Sequence, residues 1–147
     1  DDYQLVLACG PLHYDAFMNK FPQAKKNLKI SGFVDQKALL PRLDLIVARA
    51  GASTIAEIQS FAVPSILIPS PHVANNHQYY NANSLEDHDA CILLEEKDLN
   101  GLKLLEEINL LMEDENKRLE LSENVKKMAK PDAVKDIHQL IEEVLAS

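Results

Sequence analysis

Short apolar runs alternate with helix-forming segments through the first two-thirds of this chain, and that alternation narrows what it can fold into. The runs are Gln4–Cys9, Leu28–Val34, Asp44–Ala48, Pro64–Pro69 and Ala90–Leu94. They are continuous rather than alternating with polar residues, the pattern of parallel strands buried on both faces. Between them Leu12–Lys20, Gln36–Arg42, Ser53–Phe61 and His77–His88 carry helical patterns. Gly10-Pro11 closes the first strand, Pro22 helps end the first helix, and Pro41 shortens the second, because proline cannot sit in a helix interior. Beyond Leu94 the pattern is helical, over roughly Leu99–Met112, Glu115–Ala129 and Ala133–Ala146. Pro131-Asp132 marks the start of the last of these. Strand–helix alternation of this kind predicts an α/β fold of right-handed βαβ units, a parallel sheet with helices on both faces, and a helical C-terminal tail. Such sheets bind ligands beyond the carboxyl ends of their strands, which tells where chemistry should be sought.

Composition removes several functional classes. The chain has 147 residues, a length that suits a single domain. Fifteen Lys and Arg against 23 Asp and Glu leave a net charge of −8, which argues against nucleic acid as a partner. No apolar run approaches the ~20 residues that cross a bilayer. Cys9 and Cys91 form no CxxC pair, so a structural zinc site has no support, and two lone cysteines fit a reducing, cytoplasmic setting. Only four glycines are present, too few for a P-loop or a dinucleotide fingerprint. Asp1-Asp2-Tyr3 leads straight into an apolar strand without an initiator Met, as expected of a piece of something longer.

The third strand runs into Arg49-Ala50-Gly51-Ala52-Ser53-Thr54-Ile55-Ala56-Glu57. A small-residue turn entering a helix offers free backbone N–H groups and a positive dipole end, which suits phosphate. Ser53 and Thr54 add hydroxyl donors, and Glu57 one turn on can accept both hydroxyls of a ribose. A plainer reading competes: Thr54-x-x-Glu57 is a capping box, with Thr54 as N-cap and Glu57 reaching back. The fourth strand leads through the polar loop Ser70–Asn76 to His77-Gln78, and amides and imidazoles there are what sugar hydroxyls require. Asn75 or Asn76 is equally readable as an N-cap. His72 and His77 stand five apart, not the four that place two metal ligands on one helix face, so no metal is expected. Val34 at the second strand end reads first as core, yet its backbone would face a flat base at the same sheet edge. Asp15, Asp35 and Asp44 read as caps or turns. No Gly-x-Ser-x-Gly elbow is present, so a nucleophilic triad has no support.

These residues together resemble a known family. Leu45–Ile58, Val63–His72, Asn76–Ala82, Ser31-Gly32-Phe33-Val34-Asp35 and Lys130-Pro131-Asp132-Ala133 are similar, in order, to the signature of the MurG family of bacterial glycosyltransferases, in glycosyltransferase family 28. The resemblance implies a GT-B enzyme with two Rossmann-like domains, of which this chain is most of the C-terminal, nucleotide-sugar-binding one. It implies UDP-N-acetylglucosamine as donor and the lipid-linked N-acetylmuramyl-pentapeptide (lipid I) as acceptor. Carried over by position, Val34 would read uracil through its backbone. Gly51, Ala52, Ser53 and Thr54 would line the diphosphate, Glu57 would hold the ribose, and His77 and Gln78 would contact the sugar hydroxyls. No cofactor or metal is implied. The N-terminal acceptor domain, the catalytic base and the first strand of this domain would all precede Asp1. Membrane contact, on the cytoplasmic face of the inner membrane, would then fall to the missing half, and the isolated piece should bind UDP weakly without transferring sugar.

Three other readings stay open on the residues. A soluble donor-binding subunit of a split UDP-N-acetylglucosamine transferase would carry the same motifs. A UDP-N-acetylglucosamine epimerase half would show a Ser-Gly-Gly-x-x-Glu-Glu turn where this chain has Ala-Gly-Ala-Ser-Thr-Ile-Ala-Glu. A non-enzymatic binding module would bind no nucleotide.

Overall fold

A computed structural model describes residues 3–21 and 26–146. The expected helix end at Pro22 and the lead-in at Asp1 and Asp2 lie outside them. The chain divides into two compact units, Asp1–Leu39 and Leu40–Ser147.

The first unit is a βαβ unit followed by a short helix: β1 (Leu5–Ala8), α1 (Pro11–Lys20), β2 (Leu28–Ser31) and α2 (Gln36–Leu39). β1 and β2 pair in parallel, with Leu5 opposite Leu28 and Ala8 opposite Ser31. Gly10 makes the turn into α1 at a φ of 78°, which a side chain would resist, and Pro11 opens the helix where its missing N–H costs nothing. β2 stops three residues short of the expected end. The Ser31 hydroxyl donates to the Phe33 carbonyl and turns the chain out of the ladder. Asp35 caps the next turn, its carboxylate accepting the Ala38 N–H at 3.2 Å. The helix expected over Gln36–Arg42 ends at Leu39, and Leu40–Arg42 tighten into a 3₁₀ turn containing Pro41.

The second unit contains β3 (Ile46–Ala48), α3 (Ala52–Phe61), β4 (Ser65–Leu67), α4 (His77–Glu86), β5 (Ile92–Leu93), α5 (Gly101–Glu113), α6 (Glu115–Lys127) and α7 (Ala133–Ala146). β4 lies between β3 and β5 and is parallel to both, with Ile46 opposite Ser65 and Ile66 opposite Ile92. Every residue of β4 is buried. Side chains alternate along a strand, so β4 feeds two cores. Leu67 joins Ile55 and Ile58 of α3, Ala82 and Leu85 of α4, and Val125 of α6. Ile66 and Ile68 join Leu94, Leu111 of α5 and Leu121 of α6. This is the expected covering of a parallel sheet on both faces. Two side-chain caps start the tail helices: Asn100 accepts the Lys103 N–H and Asp114 the Lys117 N–H, each at 2.9 Å. Ser122 of α6 donates to the Ala62 carbonyl at 2.7 Å, just past the end of α3.

All strand pairs among the described residues are parallel, as anticipated, but they form two ladders, β1-β2 and β3-β4-β5, where the sequence suggests one sheet.

The Ser65 hydroxyl is fully buried and has no hydrogen-bond partner. Such an unsatisfied group costs about 1–3 kcal/mol, so Ser65→Ala should raise the urea midpoint by the equivalent of about 1 kcal/mol; a loss of that size would show that the hydroxyl is used. Burial, reinforced by the charge of Glu86, pushes the Cys91 thiol up to about 12 from 9.0. The unfolded chain therefore ionises this thiol first. Its contribution to stability is complete below pH 9 and is lost as pH rises from 9 toward 12. Cys91→Ala should flatten the alkaline limb of the stability–pH curve over that window.

Candidate functional site

In the second unit the sheet's carboxyl edge carries two strand-to-helix turns. At the first, Arg49-Ala50-Gly51 leads into α3. The capping box expected here does not form. Gly51 is the N-cap, in an extended conformation (φ −70°, ψ 147°), and no side chain caps the helix. The N-cap lies three residues before Thr54, so Thr54 falls in the first turn, where its hydroxyl is not placed to cap. The first intrahelical bond runs from the Ile55 N–H to the Gly51 carbonyl at 3.0 Å. The N–H groups of Ala52, Ser53 and Thr54 therefore have no helical acceptor and point out of the helix start. Ala52 and Ser53 are exposed and Thr54 half-buried. Glu57, three residues after Thr54, shares its face and is also half-buried, while Ile55 and Ile58 turn inward. A dipole end, three unpaired amides, two hydroxyls and one carboxylate thus stand together.

At the second turn, β4 continues through Pro69-Ser70-Pro71 to α4. Asn75 and Asn76 both adopt left-handed backbone conformations, at φ 52° and 51°. Asn76 occupies the N-cap position of α4, but its side chain makes no capping bond, so the N-cap reading holds for position and fails for chemistry. His77 is exposed, and its Nδ1 donates to the Ala74 carbonyl at 2.9 Å. A carbonyl only accepts, so in the neutral ring Nε2 is left as an acceptor. The Gln78 Oε1 accepts the Ser70 N–H at 2.9 Å, which leaves its NH₂ to donate outward. One acceptor and one donor side by side suit a pair of hydroxyls.

Two residues that sequence reading missed hold these turns together. Asn81, one turn after Gln78 on α4, donates to the Ala50 carbonyl at 3.1 Å and ties α4 to the α3 turn. Arg49 donates through Nη1 to the carbonyls of Ile68 (3.2 Å) and Pro69 (3.4 Å) and pairs with the Glu96 carboxylate. Arg49 is a cation at a strand end flanking the small-residue turn, and Asn81 shares a helix face with Gln78; those were the signals available. Val34 belongs to the first unit. It is half-buried in the loop after β2 rather than in the core, and the ladder ends at Ser31, so its N–H and C=O are not ladder-paired. Asp35 serves its turn, as anticipated. Among the described residues no group of His, Cys, Asp or Glu could hold a metal ion.

The geometry defines an α/β unit with a cluster of polar groups at the carboxyl ends of a parallel sheet. The family model "Glycosyltransferase family 28 C-terminal domain" matches residues 1–137, and the chain belongs to that family. It is 42% identical over 146 residues to the UDP-N-acetylglucosamine–N-acetylmuramyl-(pentapeptide) pyrophosphoryl-undecaprenol N-acetylglucosamine transferase of Bacillus subtilis (strain 168), covering 97% of this chain and 40% of that one. The enzyme of the same name from Leuconostoc citreum (strain KM20) is 39% identical over 150 residues, covering 99% of this chain and 41% of its own length. The chain thus spans about two-fifths of the length of the curated relatives it matches. Among solved structures it is similar to Acinetobacter baumannii MurG, with a TM-score of 0.81 at 24% identity over 97% of this chain and 42% of that one. It is also similar to the glycosyltransferase VinC in complex with DTDP, with a TM-score of 0.77 at 19% identity over 97% of this chain and 35% of that one. These two likenesses establish the fold, that of GT-B glycosyltransferases.

A Cβ added to Gly51 would meet only the Thr54 Oγ1, at 3.9 Å, and the backbone there does not need glycine. Thr54→Val should change stability by less than about 1 kcal/mol, since it removes no side-chain cap, whereas Gly51→Ala puts a disfavoured residue at the N-cap and should cost about 1 kcal/mol. A larger loss, measured by urea unfolding, would mean that the turn is structural rather than kept open for a ligand.

Proposed function

We propose that this chain is the donor-binding part of a transferase that moves N-acetylglucosamine from UDP-N-acetylglucosamine onto the lipid-linked N-acetylmuramyl-pentapeptide. The observation that carries the reading is the α3 start, a glycine N-cap with three unpaired amides and no side chain closing it. The diphosphate rests on the amides of Ala52, Ser53 and Thr54, with the two hydroxyls and the helix dipole opposing its charge. Gly51 lets it approach. Glu57 accepts the ribose hydroxyls, and the backbone of Val34 reads the uracil edge. His77 and Gln78 take the sugar hydroxyls, one accepting and one donating. The acceptor hydroxyl attacks the anomeric carbon, a new C–O bond forms, and the bond to the diphosphate breaks with its electron pair leaving on UDP. The α3 start stabilises the charge that grows on that leaving group. A structural neighbour, the glycosyltransferase VinC, is solved in complex with DTDP, which supports a nucleoside diphosphate as the kind of ligand this fold takes.

The acceptor and the group that removes its proton belong to the part of the transferase outside this chain, and so does membrane contact on the cytoplasmic face. No helix among the described residues is long and apolar enough to cross a membrane, and the acidic balance of the chain favours no anionic surface. We take both units to belong to one domain.

Calorimetric titration tests this reading. UDP should bind and ADP should not, because a site built for the uracil edge leaves polar groups unpaired against adenine. Glu57→Ala should weaken UDP binding about tenfold or more, the usual worth of charged hydrogen bonds, and leave deoxyuridine diphosphate almost unchanged. Equal losses for both ligands would remove Glu57 from the ribose.

A further inference from the structure

Of all the asparagines in the chain, only Asn100 is followed by a glycine. The pair stands at the start of α5, with Asn100 as N-cap and Gly101 as the first helical residue. Both are exposed. The fold does not call for a glycine at 101. Its φ is not positive, and a Cβ added there would meet nothing within 4 Å. Glycine is also a poorer helix former than alanine. What it does supply is a backbone nitrogen with no side chain beside it.

That nitrogen has a partner within reach. In any asparagine the next residue's backbone nitrogen can close a five-membered ring on the side-chain Cγ, and a side chain on that next residue crowds the approach. At α5 the nitrogen is free of the helix ladder as well. The first amides of a helix lack intrahelical acceptors, and the first α5 bond runs from the Leu104 N–H to the Asn100 carbonyl at 3.0 Å. A single hydrogen bond holds the carboxamide forward, from the Lys103 N–H to Asn100 Oδ1 at 2.9 Å. Little else keeps this turn closed. Leu102 is 82% exposed, and α5 packs into the core only from Leu104 onward, through Ile108 and Leu111. Breaking the cap bond therefore frees the carboxamide while the rest of α5 stays in place.

We infer that Asn100 is a self-modification site, where the chain converts its own cap to aspartate and isoaspartate with water as the co-reactant. The Gly101 nitrogen gives its proton to hydroxide and attacks the Asn100 Cγ. A C–N bond forms, the bond to the amide nitrogen breaks, and that nitrogen takes a proton from water and leaves as ammonia. Water then opens the resulting succinimide. Addition at the former side-chain carbonyl gives aspartate, and addition at the main-chain carbonyl gives isoaspartate. Aspartate keeps an acceptor for the Lys103 N–H and adds negative charge at the positive end of α5, so it caps at least as well. Isoaspartate puts an extra methylene group into the main chain between Leu99 and Leu104, which both pack against the core of Ile66 and Ile68. The cap is lost there and the start of α5 is pushed out of register.

Peptide mapping by mass spectrometry, on the folded chain aged at neutral pH, tests this. Asn100 should show the mass of an amide turned into an acid before any other asparagine does, and part of the product should be methylated by an isoaspartyl methyltransferase. The cap should slow the conversion about fivefold or more relative to the same chain unfolded in guanidinium, the factor that a typical cap is worth. Gly101→Ala, for which the structure has room, should abolish the conversion with α5 still folded. The assignment is overturned if Asn100 persists in the folded chain, if another asparagine converts first, or if Gly101→Ala converts as fast as the parent. Asn100→Asp should keep the thermal midpoint of the unaged chain, while the isoaspartate form, separated chromatographically, should melt lower. Equal midpoints for the two forms would overturn the role given to the cap.

Discussion

The burial of β4 is the constraint from which the second unit follows. A strand with Ile66 on one face and Leu67 on the other, continued by Ile68 on the first face, must be covered on both sides. Helices can do so only through βα connections that leave the strands at their carboxyl ends. Those connections are where the chain is free of ladder hydrogen bonds and close to helix starts. The same apolar alternation that builds two cores therefore gathers backbone amides at one edge of the sheet. Glu57, Thr54, His77 and Gln78 are presented by elements whose opposite faces are locked into packing through Ile55, Ile58, Ala82 and Leu85.

The competition at the α3 start is between a cap and a ligand. A helix whose first amides are satisfied by its own Ser or Thr is more stable, typically by ~1 kcal/mol. The tail helices use that device, with Asn100 and Asp114 as caps. At α3 hydroxyl residues are present, yet they stand two and three positions past the N-cap, too late to serve, and a glycine and an alanine hold the places before them. At α4 an asparagine occupies the N-cap and still does not cap, because its left-handed backbone directs the chain otherwise. Two helix starts at the sheet edge are thus left open while two away from it are closed.

The strands and helices were legible in the sequence because apolar periodicity reports burial directly, and both faces of β4 are buried. Their ends were less legible. β2 was read through to Val34, but a single hydroxyl bond from Ser31 to the Phe33 carbonyl ends it early, and no periodicity encodes that. The division into two ladders was not visible either, since strand order depends on pairing and not on composition. At the site, the types of residue were legible and their roles only in part. The Thr54-x-x-Glu57 spacing fits a capping box as well as it fits two groups on one helix face, and only the position of the N-cap decides. Arg49 and Asn81 were overlooked because their partners are backbone carbonyls of Ile68, Pro69 and Ala50, which leave no mark in a side-chain pattern.

Electrostatics sharpen the picture. On the proposed reading an anionic ligand must approach a chain of net charge −8, and the one Arg at the strand ends is already paired with Glu96. Long-range attraction is therefore absent, and the favourable field comes from the α3 start, whose influence fades within about one turn. A field of that range can hold a diphosphate once it arrives but cannot gather it from a distance or tell one nucleotide from another. Discrimination has to come from contacts that are neutral or locally matched: the backbone of Val34 for the base, Glu57 for the ribose, and His77 and Gln78 for the sugar. On that reading the fixation of these groups through Arg49, Ser70 and Asn81 matters as much as their identity.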